Sequence, residues 1–166
     1  GSIYVSKPLS TTSSPSGVTV GMEVLRYKPD GTLDTALGEE GHLSLVNAVQ
    51  VVGAPTTTGW MYVLESVSDT SAPASSHLEV HRYSATTGQM DSGFKVAFTA
   101  TSADASNNTF AVRRGVYGDD SVYVMQTLSS SVMVNGVTTN TSSVQVQRYT
   151  SLGALDSHFT LIVPNA

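Results

Sequence analysis

The stretch Met22-Glu23-Val24-Leu25-Arg26-Tyr27-Lys28-Pro29-Asp30-Gly31-Thr32-Leu33-Asp34 decides how the rest of the chain is read. Its first six residues suit a β-strand, and Pro29-Asp30-Gly31 is turn chemistry, with proline fixing φ and glycine supplying left-handed backbone. The same design returns twice. Leu78-Glu79-Val80-His81-Arg82-Tyr83 precedes a turn at Gly88 and Met90-Asp91-Ser92-Gly93-Phe94. Val144-Gln145-Val146-Gln147-Arg148-Tyr149 precedes Gly153 and Leu155-Asp156-Ser157-His158-Phe159. Self-similarity at this spacing marks a repeat architecture.

Working outward, a short apolar segment lies upstream of each copy: Ile3-Tyr4-Val5, Met61-Tyr62-Val63-Leu64 and Val122-Tyr123-Val124-Met125. Another follows each turn, at residues 42–46, 94–98 and 159–163. A fourth occurs twice, at 48–52 and 110–116, and its next copy would fall beyond Ala166. All are short, rich in Val, Tyr and Thr, and bounded by Gly, Pro, Asn and Asp, and no stretch carries helical periodicity over a dozen residues. Val134-Asn135-Gly136-Val137 predicts a two-residue hairpin turn. The expected fold is all-β: one repeat domain over 1–166, with about three four-stranded antiparallel units near 3–60, 61–121 and 122–166.

Alternation places Met22, Val24 and Arg26 on one strand face, with Leu78, Val80, Arg82 and Val144, Val146, Arg148 in the equivalent places. A guanidinium at the end of an apolar face requires a carboxylate or carbonyl partners. The spacing predicts pairing of Arg26, Arg82 and Arg148 with Asp34, Asp91 and Asp156, within or between repeats. Tyr27, Tyr83 and Tyr149 complete the repeated positions.

Arg26-Tyr27-Lys28-Pro29-Asp30-Gly31-Thr32-Leu33-Asp34, with its two looser copies, resembles the delta-60 repeat, and the likeness spans nearly the whole chain. The later copies depart from the pattern: Ala85-Thr86-Thr87-Gly88 has one extra residue and Ser151-Leu152-Gly153 lacks the aspartate. The resemblance implies β-propeller-like blades in secreted or surface proteins of bacteria. Propellers close with four to eight blades. Three units therefore imply a piece of a longer array, in keeping with Gly1-Ser2 as a cloning remnant, or a ring completed by oligomerisation. A β-trefoil, closed by three four-stranded units, is the alternative.

The 166 residues carry eight Lys plus Arg against thirteen Asp plus Glu, a formal charge of −5. The basic residues are scattered, which argues against nucleic acid and anionic membrane surfaces as partners. Absence of cysteine excludes disulfides, thiolate metal sites and cysteine nucleophiles. No apolar run reaches the roughly 20 residues of a spanning helix, so membrane insertion is not expected.

Catalytic motifs are missing: there is no Gly-x-Ser-x-Gly elbow and no phosphate-binding glycine loop. The reading is therefore not an enzyme and without a cofactor. Asp30 with Asp34, and Asp119 with Asp120, offer too few oxygens per turn for calcium and read as turn caps or arginine partners. His42, His77, His81 and His158 read as surface residues, not metal ligands. Trp60, the only tryptophan, is a possible ligand contact by stacking. The Ser/Thr-rich segments 6–21, 66–77 and 127–143 read as loops, emerging on one side and carrying recognition. Asn107 and Asn140 head Asn-x-Ser/Thr triplets. These features together predict an extracellular or cell-surface binding or adhesion module for a protein or glycan. A structural or self-associating spacer and a lectin are the alternatives.

Overall fold

The computed structural model describes residues 2–9, 21–52, 59–68, 76–98, 110–114, 121–135 and 137–164. Eleven strands run in chain order: β1 (Ile3–Pro8), β2 (Gly21–Tyr27), β3 (His42–Val46), β4 (Ala48–Val52), β5 (Trp60–Ser68), β6 (Ser76–Ser84), β7 (Met90–Phe98), β8 (Phe110–Arg114), β9 (Val122–Val134), β10 (Val137–Tyr149) and β11 (Leu155–Pro164). No helix occurs among the described residues. The strands form three antiparallel sheets, each an up-and-down meander: β1-β2-β3, β4-β5-β6-β7 and β8-β9-β10-β11. No closed barrel or propeller is formed among the described residues. By contacts the chain divides into two compact units, 1–98 with the first two sheets and 99–166 with the third.

Register makes the sheets directly comparable. Tyr4 faces Arg26, Tyr62 faces Arg82 and Tyr123 faces Arg148 across neighbouring strands. Each sheet thus has an arginine face, and a reverse face bearing Ile3 and Val5, Met61 and Val63, or Val122 and Val124. The sequence units and the sheets are out of phase by one strand. Ala48–Val52, grouped in sequence with the residues before it, pairs with β5 and opens the second sheet, and Phe110–Arg114 likewise opens the third. Asn47, left-handed at φ 65°, turns the chain from the first sheet into the second, and its carbonyl accepts the Ser66 amide at 2.9 Å.

In the first unit the arginine face of sheet 1 packs on the reverse face of sheet 2. The shared core joins Val24, Leu37 and Leu45 to Ala48, Met61, Val63 and Ala85, with Tyr4, Met22, Leu43, Val51 and Tyr83 packed against it. Polar contacts rim this core. The Tyr4 hydroxyl and Arg26 Nη1 both donate to the Ala85 carbonyl, and the Gly38 amide donates to Thr87 O at 3.2 Å. Gly88 has φ +75°, and a Cβ there would meet Leu43 and the Gly38 backbone at 3.0–3.4 Å. Glycine therefore serves both the turn and the close approach of the sheets.

One sequence expectation is corrected. Residues 127–134 and 137–143 are not a loop. They extend β9 and β10 into a hairpin of two 13-residue strands, paired from Tyr149–Val122 out to Val137–Val134. Asn135 stands in the left-handed region at the turn, as the Asn-Gly pair predicts. Thr and Val suit an extended ladder as well as a polar connection, which is why composition alone read this stretch as loop. Most of segments 6–21 and 66–77, together with Asn107, Asp119 and Asp120, lies outside the described residues.

Candidate functional site

The three predicted arginine–aspartate contacts are present, each within its own repeat. Arg26 Nη2 lies 2.9 Å from Asp34, Arg82 Nε donates to Asp91 at 3.0 Å, and Arg148 Nε donates to Asp156 at 2.8 Å. In the second and third copies the Nη2 group binds the same carboxylate oxygen. The other carboxylate oxygens cap turns, accepting from Ala36, Gly93 and His158 amides at 3.2, 2.9 and 3.0 Å. The Arg82 contact, then the Gly93 amide, hold the Asp91 carboxyl below its ordinary range. Arg148, then the His158 amide, do the same for Asp156. Asp30 is likewise a cap, accepting from the Thr32 amide and hydroxyl at 2.9 and 2.7 Å.

An aromatic stack accompanies the later two pairs. The Arg82 guanidinium lies 4.8 Å from the Phe94 ring, whose edge-on neighbour is Tyr62 at 5.6 Å. Arg148 lies 5.1 Å from Phe159, which meets Tyr123 edge-on at 5.4 Å. Leu37 occupies the corresponding place in the first copy. Arg82 has a second ring, Trp60, at 4.4 Å.

Trp60 begins β5, beside the β6–β7 turn, and that turn is internally fixed. Ser84 N donates to Gln89 O and Gly88 N to Ser84 O, both at 2.8 Å. The Thr86 and Thr87 amides donate to Ser84 Oγ, and the Gln89 amide to Thr87 Oγ1. The Ala85 amide reaches Gly59 O at 2.7 Å and ties the turn to the residue before the tryptophan. Trp60, Ser84, Thr87, Gln89, Met90, Asp91 and Ser92 line an open depression here. Its polar side chains are hydroxyls, one amide and one carboxylate already held by Arg82.

A second cluster escaped the sequence reading. Glu79 is buried on the reverse face of sheet 2 and accepts from Lys95 at 2.7 Å and from His77 and His81 at 2.9 Å each. Burial pushes its carboxyl up, but the hydrogen bonds from Lys95, His77 and His81 outweigh that and hold it at about 2. Nearby, the Tyr83 hydroxyl donates to Glu65 at 2.6 Å. Burial, followed by that contact, raises the Tyr83 phenol above its ordinary value. His81 is therefore a largely enclosed hydrogen-bond partner of Glu79, not a surface residue. The available signal was parity: His77, Glu79 and His81 are two apart and share one strand face. Among the described residues no group of three His, Asp or Glu is arranged to hold a metal.

Comparison with protein-family models, with curated proteins and with solved structures returns no match to this chain.

Proposed function

We propose that this is a non-catalytic binding module, built on propeller-like blades of the delta-60 kind and working outside the cell, that takes a neutral glycan at Trp60. The carrying observation is the lining of the Trp60 depression. An indole backed by a guanidinium stands beside three hydroxyl side chains and the Gln89 amide on a hydrogen-bonded turn. Sugars present apolar ring faces and many hydroxyls, which suit an aromatic platform with small polar neighbours. The chemistry available favours binding over catalysis. Asp91 is ionised and engaged by Arg82 and Gly93, so it is poorly suited to protonate a leaving group. The low charge and hydroxyl-rich surface support an extracellular setting.

Because Trp60 is the only tryptophan, its fluorescence reports on the site directly. Titration with neutral oligosaccharides chosen from a glycan array is expected to change the emission saturably, with the response lost in Gln89→Ala. If no array glycan changes the emission while a protein ligand still binds Trp60→Ala, the site and the glycan assignment are both wrong.

A further inference from the structure

The packed pair of sheets in the first unit shows which faces fit one another, and among the described residues sheet 1 exposes apolar residues on its reverse face and sheet 3 on its arginine face. Met61 and Val63, on the reverse face of sheet 2, are 0% exposed beneath the arginine face of sheet 1. Their counterparts on the reverse face of sheet 1, Ile3 and Val5, are 59% and 42% exposed. Register fixes the equivalence, since Ile3 faces Tyr27 as Met61 faces Tyr83, and Val5 faces Leu25 as Val63 faces His81.

The opposite mismatch occurs on the arginine face of sheet 3. Leu161, Val163 and Met125 are 50%, 46% and 41% exposed. Leu161 and Val163 correspond to Leu43 and Leu45, which pack in the core of the first unit, and Met125 lies on the same face beside them. The other exposed apolar residues include Val132, Met133 and Val137 near the end of the β9–β10 hairpin. Ile3, Val5, Leu161 and Val163 are distinguished because the same register positions are covered in the first unit.

We propose that the chain binds a second copy of itself head to tail, the Ile3/Val5 face of one copy seating on the Met125/Leu161/Val163 face of the next. The contact would repeat the packing of sheet 1 on sheet 2 between two molecules. The polar rim has a counterpart as well. Arg26 and Tyr4 donate to the Ala85 carbonyl. By the same register, Arg148 and Tyr123 face the Pro29 carbonyl of the next copy. Such an interface is heterologous: it joins unlike patches, and closes into a ring or runs on as a filament according to the rotation per step. The surface is separate from Trp60, so the inference does not depend on what binds there.

The test is absolute mass by light scattering over a concentration series, with one face blocked at a time. The wild-type chain is expected to associate. Val5→Lys and Leu161→Lys are each expected to remain monomeric alone and to form a one-to-one pair when mixed, through the two faces left intact. Continued self-association of either variant alone would overturn the head-to-tail arrangement in favour of like faces meeting. A wild-type monomer throughout the series would overturn self-association. Should a lysine variant lose its native circular dichroism, the absence of cysteine provides a second route. Chains carrying Val5→Cys and Val163→Cys, mixed and treated with a short bismaleimide, are expected to cross-link to each other in excess over like pairs. An excess of like pairs would overturn the proposal.

Discussion

Arg26 in the first sheet and Arg148 in the third occupy equivalent register positions, face equivalent tyrosines (Tyr4 and Tyr123) and bind equivalent aspartates (Asp34 and Asp156), yet their surroundings differ. The Arg26 side chain is 7% exposed beneath sheet 2 and also donates to Ala85; the Arg148 side chain is 33% exposed. The pairing with aspartate is therefore a property of the repeat, made wherever the strand and turn form. Burial is a property of what lies on top. An ion pair enclosed between packed sheets is costly to break because the surviving charge stays in poor solvent, whereas an open pair returns to water.

That contrast yields the largest expected effect. Arg26→Met should destabilise the fold by about 3 kcal/mol, since it leaves Asp34 without its partner and the Ala85 carbonyl without one of its donors. Arg148→Met should move the urea midpoint much less at dilute protein. Equal shifts in the two variants would break the comparison and show that local pairing, not enclosure, sets the energetics.

A difference of comparable size is expected on the reverse faces. Met61→Ala empties a fully covered position and should cost about 2–5 kcal/mol. Ile3→Ala, at the equivalent exposed position, should stay within about 0.5 kcal/mol at dilute protein. The measurement sharpens if it is repeated at high concentration. Association that covers Ile3 would make the cost of Ile3→Ala grow with concentration, because binding to the folded state adds to its stability.

How much of this was legible in advance follows from the range of each interaction. Alternation and turn chemistry act over a few residues, so strand positions, the three arginine–aspartate contacts and the Asn135 turn could be read from the chain. The path from Val46 through Asn47 into sheet 2 could not, because pairing of Ala48–Val52 with β5 is a long-range choice that its apolar pattern leaves open. The Trp60 depression needed the β6–β7 turn to fold back beside β5. Glu79 was hidden for another reason. Its strand was read for its apolar parity, and the opposite parity, holding His77, Glu79 and His81, was taken for solvent-facing residues. Sheet 2 has both faces in use, so both parities carry information.

The smallest effect contrasts the second and third sheets at that polar position. Register places Glu79 opposite Glu65 and Gln145 opposite Gln126, so sheet 3 has glutamine where sheet 2 has an ionised carboxylate. Glu79→Gln makes sheet 2 resemble sheet 3 there while keeping the side-chain length. The folded-state value of about 2 lies below the ordinary 4.5. The contribution of the charged cluster is thus fully present above the ordinary value and is withdrawn as pH falls through 4.5 toward 2. Urea midpoints of wild type and Glu79→Gln should differ modestly near neutral pH, with wild type the more stable, and the gap should narrow across that acid window. A gap that is constant from pH 7 to pH 2 would mean that Glu79 contributes shape and hydrogen bonding without its charge. The glutamine of sheet 3 would then be a full equivalent, and the two sheets would differ at this position in sequence but not in energetics.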